Sequence, residues 1–388
     1  MGAWAALNRT SPTAGRHWAA ALALLVVMAA GPTGAAPLRD VFEVSGVPVD
    51  VTAETAAKAR EKALVEGERQ AFRLLVERLT MRVDHERLPN PPQNDIRAFI
   101  RDFSVTEEKT SAVRYLAKLT FHFKSGEVRN LLRANGIPFA ETQSKSVVVL
   151  PVYQLAGEVL LWEDNNPWRE AWLRLPPAGG LVPLAVPIGD LQDIAQLRAS
   201  QALDGEASAL GAVAERYGAG DAVVAFARVG LDAKTGAQDL LVTLIRHGPA
   251  AAETLPLEAR FKSRPGEAVG DILSRAVIEA AKLVEDDWKL QNVVDYGRSG
   301  ILAITIPVQS LRDWVMVERR LGGVPLVKRV ETVLMSINEV RVNLHHVGAA
   351  DKLITALRQA DMSLAQEAGE WILIPAGGEA GASAPTRG

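Results

Sequence analysis

Three of the chain's eight tryptophans lie close together around a short acidic turn. Planar indole rings can stack on sugar rings, and neighbouring carboxylates can bind the sugar hydroxyl groups. The candidate binding residues are Trp162, Glu163, Asp164, Trp168 and Trp172. Tryptophan is also mostly buried in folded proteins, so the same rings could instead pack on a sheet. The stretch therefore predicts either a glycan-binding site or part of a core.

The local pattern places two of these rings on a helix. Asn166 followed by Pro167 is a helix-start signal, because proline at the first helical position loses no hydrogen bond. Trp168 and Trp172 are four residues apart and would then share one face of that helix. Whether this face is exposed or buried decides between the two interpretations.

The other side chains that could do chemistry form no recognisable catalytic or metal-binding motif. His345 and His346 are adjacent on a predicted strand, where neighbouring side chains point to opposite faces and cannot readily bind one ion. We therefore predict no metal site, no cofactor and no catalytic residue. An exported hydrolase stays an alternative, because catalytic residues can come from distant positions in a sequence.

The composition excludes several classes of protein. The chain has 388 residues, 48% of them hydrophobic, which predicts a globular protein with more than one domain. Its 43 basic and 46 acidic residues give a net charge of -3, which leaves no positive surplus for binding nucleic acid. Cysteine is absent, so disulfides, thiolate metal sites and a lipid anchor on an N-terminal cysteine are excluded.

Residues 1–36 have the features of a secretory signal peptide. Arg9 and Arg16 precede an apolar run at residues 18–30, which small residues and proline follow. This run is shorter than the ~20 residues that a transmembrane helix needs, and no later run approaches that length. The sequence therefore predicts an exported, periplasmic protein with no transmembrane segment in the mature chain.

Hydrophobic periodicity divides the rest of the chain into three α/β-type domains, an α+β fold overall. The first domain, residues 37–142, has predicted strands near 41–51 and 111–123. A long helix is expected at 54–80, and Ser125 is expected to cap a short helix near the end of the domain.

The second domain, residues 143–296, begins with an apolar strand and ends with a long amphipathic helix at 267–294. Between these elements we expect a strand at 181–188, two helices between residues 190 and 217, and three further strands. Helices are expected to cover one side of the sheet. The acidic run at 285–287 is typical of a solvated helix face.

The third domain, residues 299–376, shows the element order βαββαβ of a ferredoxin-like domain. Its helices are expected at 311–321 and 350–360, and its last strand at 371–375. Domains with this order also bind RNA, but the central strands here carry no aromatic residues that could stack on bases. Residues 377–388 are small and polar, which predicts a disordered tail.

Several stretches together resemble an uncharacterised family of exported bacterial proteins, the DUF two-zero-six-six family. They are "VSGVPVDVTAETAAKAREKALVEGERQAFRLLVERLT", "LRANGIPFA" with "VVVLPVY", "NPWREAW" with "LVPLAVPIGDLQDI", and "ERYGAGDAVVAFARV". The resemblance covers nearly all of the mature chain and implies an envelope protein without an assigned activity. The first domain is also similar to the N-terminal domain of FlgT, and the middle domain to N-terminal domains of the TolB type. Those relatives act by binding other proteins.

These observations lead to three hypotheses. The first is a non-catalytic periplasmic binding or scaffolding protein of the cell envelope, which acts through protein-protein contacts with unidentified envelope proteins. The second is a protein that binds peptidoglycan fragments through the tryptophan stretch. The third is an exported hydrolase of unknown substrate. The first depends on exposed strand edges or on grooves between domains.

Overall fold

The structure is a computed structural model that describes residues 40–176, 179–231, 237–249 and 255–375. The predicted signal peptide and tail lie outside these residues. The described residues combine helices with three β-sheets, so the predicted α+β fold class is confirmed. One sheet falls within each predicted domain, but all three sheets belong to one compact unit, and the domain boundaries stay predictions.

A three-stranded sheet and three helices form the first module. Its elements are β1 (Glu43–Thr52), α1 (Ala56–Leu79), α2 (Gln93–Phe99), β2 (Ile100–Thr110), β3 (Arg114–Phe123) and α3 (Ser125–Ala134). The strands are antiparallel in the order β1-β3-β2, and α1 packs on one face. A Cβ atom at Gly67 would lie 2.6 Å from a methyl group of Leu119, so glycine lets α1 approach the sheet closely.

The ends of these helices test the predicted caps. Helix α1 begins after Thr55, whose hydroxyl accepts a hydrogen bond from the N–H of Lys58 at 3.2 Å. Its bounds agree closely with the predicted 54–80. The predicted cap at Ser125 was wrong, because Ser125 is the first residue of α3 and Lys124 precedes the helix without a side-chain cap.

The second module is built around a larger sheet. Its strands are β4 (Val147–Leu155), β5 (Glu158–Leu160), β6 (Leu184–Ala185), β7 (Asp221–Leu231), β8 (Gln238–His247) and β9 (Leu257–Lys262). Its helices are α4 (Pro167–Leu173), α5 (Leu191–Gln196), α6 (Ala199–Leu203), α7 (Ala207–Arg216) and α8 (Val269–Asn292). The strand order is β5-β4-β7-β8-β9, with β6 paired to β4. Of the strand predicted at 181–188 only β6 forms, because Pro183 and Pro187 lack the N–H that a strand needs.

Helices cover both faces of the second sheet, so the prediction of one covered side was wrong. Val147 and Val149 of β4 face a core shared with α4 and α8, whereas Val148 and Leu150 face a core shared with α6 and α7. Strands β4 and β7 are parallel neighbours inside the sheet. Parallel strands are usually covered on both faces, which agrees with the continuous apolar sequence of β4.

The third module contains the predicted βαββαβ order with one additional strand. Its elements are β10 (Ser299–Pro307), α9 (Leu311–Gly322), β11 (Val327–Met335), β12 (Glu339–Val347), α10 (Ala350–Gln359), β13 (Met362–Glu367) and β14 (Glu370–Pro375). The strand order is β11-β12-β10-β14-β13. Strand β13 was not predicted, because only Met362 and Leu364 alternate toward the core before the sequence becomes polar.

Charged side chains connect α8 to the first module. Lys289 is only 4% exposed, and its Nζ donates to the carbonyl oxygens of Glu77 at 3.0 Å and Thr80 at 3.1 Å. These carbonyls belong to the last turn of α1, where a cation is favourable. Burial lowers the pKa of Lys289, and neighbouring carboxylates partly offset this effect.

The acidic run at 285–287 does not form the predicted solvated face. Glu285 accepts the backbone N–H groups of Leu181 at 2.7 Å and Val182 at 3.0 Å. Asp286 forms a salt bridge with Arg82 of the first module. The carboxylates are partly covered because loops from both modules pack on this end of α8. The acidic run therefore connects α8 to residues 181–182 of the second module and to Arg82 of the first module.

Candidate functional site

The candidate residues Trp168 and Trp172 lie on α4 and are buried. They are 0% and 1% exposed, and their rings meet edge to face with the centroids 5.7 Å apart. The Trp168 indole N–H donates to the carbonyl oxygen of Ala225 on β7 at 2.8 Å. The predicted helix start at Asn166 and Pro167 is confirmed. Both rings therefore fill the core between α4, α8 and the second sheet.

Trp162 belongs to the core on the opposite face of the same sheet. It is 8% exposed, and its indole N–H donates to the carbonyl oxygen of Leu197 at 2.7 Å. Glu163 and Asp164 are exposed, and a Glu163 carboxylate oxygen accepts the N–H of Leu161 at 2.6 Å. The five candidate residues therefore do not converge on one surface. Stacking on a sugar needs an open ring face, and the burial of the three rings favours the core interpretation.

A different segment of the second module exposes apolar side chains. Ile188, Leu191 and Ile194 are 64%, 86% and 46% exposed. Leu191 and Ile194 are three residues apart on α5 and point to similar sides, and Ile188 lies in the loop just before this helix. Residues 188–194, which comprise the end of the preceding loop and the first turn of α5, are hereafter called the apolar loop. It exposes these apolar side chains in a helix-and-loop segment beside α7.

Asp190 and Arg216 tie the backbone of the apolar loop to α7. A carboxylate oxygen of Asp190 accepts the N–H groups of Gln192 and Asp193, both at 3.0 Å, and so caps α5. Arg216 donates to the two carboxylate oxygens of Asp190 at 2.8 Å and 2.5 Å. The Arg216 guanidinium is the main reason that the pKa of Asp190 lies far below its usual value. Asp190 is therefore ionised at every physiological pH.

Asp193 fixes the apolar loop from the inside. It is 0% exposed, forms a salt bridge with Arg216, and accepts the Tyr217 hydroxyl at 2.7 Å and the Gly189 N–H at 2.9 Å. The Tyr217 hydroxyl oxygen in turn accepts the N–H of Ile188 at 3.2 Å. Burial, followed by the hydrogen bond to Asp193, raises the pKa of Tyr217. A buried charge is stable only when it is paired, so this network favours one conformation of the loop.

The turn between Ile188 and Asp190 requires glycine. Gly189 has a φ of 75°, a conformation that residues with a Cβ rarely adopt. A Cβ atom there would also lie 2.6 Å from Nη2 of Arg169, which donates to the carbonyl oxygen of Ile188. Arg169 belongs to α4, so the buried tryptophan helix also supports the apolar loop.

Sequence reasoning did not identify the apolar loop as a candidate site. Leu191 and Ile194, with Asp190 at a helix start, have the spacing of a helix whose apolar side faces a core. One available signal was the pair Asp190 and Asp193, because two carboxylates so close to apolar residues need partners of their own. Those partners, Arg216 and Tyr217, could not be assigned from sequence spacing.

Two charged side chains line a small cavity between α8 and the second sheet. The lining residues are Val223, Leu244, Arg246, Leu255, Leu257, Val284 and Asp287. Burial raises the pKa of Asp287, which accepts a hydrogen bond from Gln291 at 2.9 Å. Arg246 donates to Asp221 at 2.6 Å and lies over the Trp288 ring, 5.1 Å from its centroid. Asp287 and Arg246 each interact with residues other than one another. The hydrolase hypothesis therefore gains no paired nucleophile and base from this cavity.

The adjacent histidines lie on β12. The His345 Nε2 atom is 3.0 Å from both an Arg329 nitrogen and a Glu331 carboxylate oxygen, whereas His346 is 8% exposed. Within the described ranges, no group of three or more His, Cys, Asp or Glu residues could hold a metal ion. No helix in the described part of the chain is both long and apolar enough to cross a bilayer.

No protein-family model and no curated protein sequence matches this chain. Among solved structures, the chain is similar to a dodecameric PelC variant from Paraburkholderia phytofirmans. That match has 11% sequence identity and a TM-score of 0.24, and it covers 38% of this chain and 91% of the PelC chain. A similarity this low carries no argument about function, which must come from the residues described above.

Proposed function

We propose that this chain is a non-catalytic binding or scaffolding protein of the bacterial cell envelope, and that it docks on a partner protein through the apolar loop. The observation that carries the proposal is the exposure of Ile188, Leu191 and Ile194 on a segment that Asp193 and Arg216 hold in place. The sequence pattern of residues 1–36 supports export to the periplasm.

Exposed aliphatic side chains favour binding when a partner removes them from water. Complete burial of one such side chain contributes about 1.5–3 kcal/mol. A loop that is already fixed loses little conformational entropy on binding, so more of this free energy is retained as affinity. We therefore expect a partner protein with an apolar groove that receives Leu191, the most exposed of the three residues.

Capture of the partner tests the proposal. The full chain with a C-terminal tag serves as bait in envelope extracts, with and without crosslinking, in three forms: wild type, Leu191→Ser and Ile337→Ser. Ile337 is 94% exposed in the turn between β11 and β12, so Ile337→Ser is a matched control for loss of an exposed aliphatic residue. We expect wild type and Ile337→Ser to recover the same envelope protein and Leu191→Ser to lose it.

Two different results would contradict the proposed contact surface and the proposed binding function, respectively. Recovery of the same partner by all three forms would exclude the apolar loop as the contact surface, and recovery of no partner above background would contradict the binding function. Export is measured independently by cell fractionation. An intact chain of unprocessed mass in the cytosolic fraction would contradict the periplasmic location.

A further inference from the structure

Cationic side chains from two modules meet at the ring of Tyr296. The Arg133 guanidinium carbon is 5.4 Å from the ring centroid, and the Lys328 Nζ atom is 5.9 Å from it. Arg133 belongs to α3 of the first module and Lys328 to β11 of the third. Tyr296 lies between α8 and β10, so this position is a junction of all three modules.

The local charge at this junction is positive. A third cation, Arg129, donates to the buried side chain of Glu141 at 2.7 Å. Arg133 donates to the side chain of Asn130 at 2.8 Å and to the carbonyl oxygen of Arg129. Within the described residues, neither Arg133 nor Lys328 forms a salt bridge with a carboxylate. Neither positive charge therefore has a carboxylate as a direct partner among the described residues.

The pKa of Lys328 is lowered in the folded chain. Partial desolvation of its ammonium group is the largest cause of this change, repulsion from Arg129 is next, and Arg133 adds to it against the opposing attraction of Glu141. Like charges repel unless an anion lies between them. The fold nevertheless places these cations at the junction, because each one also contacts an aromatic ring or a carboxylate.

Tyr296 also carries a hydroxyl group that can donate a hydrogen bond. Its ring stacks on Phe139, with the centroids 4.8 Å apart and the planes at 19°, and this contact fixes the ring beside the two cations. The buried Tyr296 hydroxyl oxygen finds no hydrogen-bond partner among the described residues. A buried hydroxyl without a partner carries a free-energy cost that a bound oxygen acceptor would remove.

We propose that Arg133, Lys328 and Tyr296 form a binding site for a phosphoryl group, which bridges the first and third modules. A doubly charged phosphoryl group matches the two cations that lack a salt bridge and offers several oxygen acceptors for an arginine, a lysine and a hydroxyl. A carboxylate carries one charge and would leave one cation unbalanced. This site is separate from the apolar loop and does not depend on the function proposed for that loop.

Calorimetric titration of the full chain with inorganic phosphate, at fixed pH and ionic strength, tests the site. The variants are Arg133→Gln and Lys328→Gln, and the matched control is Arg329→Gln, which removes the same charge from the next position of β11. We expect saturable binding by wild type and Arg329→Gln, and affinity about tenfold lower in each of the other two variants. Binding should weaken as sodium chloride is added.

A second arm separates free phosphate from a lipid headgroup. Vesicles of phosphatidylcholine, with and without phosphatidic acid, whose phosphate monoester can carry two charges, are sedimented with the same four proteins. Acidic vesicles that bind wild type and Arg329→Gln but not Arg133→Gln or Lys328→Gln would assign the headgroup as a source of the phosphoryl group. Absence of saturable binding in both arms overturns the proposal, and so does an equal loss of binding in the Arg329→Gln control. Both test residues have exposed side chains, and circular dichroism verifies that each variant folds.

Discussion

Two neighbouring segments of the second module place their apolar side chains in opposite environments. Residues 160–172 send three tryptophans into the cores on the two faces of one sheet. Residues 188–194 keep three aliphatic side chains in solvent, above a frame of buried and partly buried polar groups. This difference shows that a cluster of tryptophans in the sequence does not by itself identify a binding surface. We propose that an apolar surface whose polar neighbours lie underneath it is a better indication.

The largest expected effect comes from removing a tryptophan ring from the core. Trp168→Ala should lower the free energy of unfolding by about 3–5 kcal/mol, because it leaves a cavity and removes the indole hydrogen bond to the carbonyl oxygen of Ala225. Urea unfolding followed by circular dichroism measures the change. A Trp168→Ala protein as stable as wild type would show that this ring is not part of a tightly packed core. The contrast between residues 160–172 and residues 188–194 would then no longer hold.

The second effect concerns the frame under the apolar loop. Asp193→Ala should lower the free energy of unfolding by about 3 kcal/mol, since it removes the buried partner of Arg216, Tyr217 and Gly189. Hydrogen exchange should become faster at residues 188–194 before it changes in the core strands. Asp164→Ala is the control, because this exposed carboxylate should contribute less than about 0.5 kcal/mol. Unchanged exchange in Asp193→Ala would mean that the network does not fix the loop.

Sequence periodicity predicted elements better than it predicted which side of them is exposed. The long helices α1 and α8 agree closely with the predicted 54–80 and 267–294, because many residues repeat the same helical pattern. Strand β13 was missed because its pattern has only two core-facing residues. Leu191 and Ile194 have the spacing of core residues, and their exposure depends on contacts of α5 with distant parts of the chain. No local pattern contains that information.

The pH dependence of stability sharpens the description of the frame. The pKa of Asp190 is lowered in the folded chain from an ordinary value of 3.8, so this carboxylate stabilises the fold above that pH. The stabilisation is lost as the pH falls through the lowered pKa. We therefore expect Asp190→Asn to be less stable than wild type at pH 7 and the difference to shrink progressively below about pH 4. Urea midpoints at several pH values measure it, and a difference independent of pH would count against an ionised Asp190.

The smallest expected effect is on the exposed side of the apolar loop. Leu191→Ser should change the free energy of unfolding by less than about 0.5 kcal/mol, because the side chain is 86% exposed. The same variant should lose the envelope partner. A large loss of stability would instead show that Leu191 contributes to the fold, and the contrast with Trp168 would disappear.

The contact between Lys289 and the last turn of α1 limits how the protein can be dissected. A fragment that starts at residue 143 would retain α8 but would leave the Lys289 ammonium without the carbonyl groups of Glu77 and Thr80. Asp286 in the same fragment would lack Arg82. Each sheet looks like an independent piece, yet a soluble truncation for binding studies should keep the first two sheets on one polypeptide.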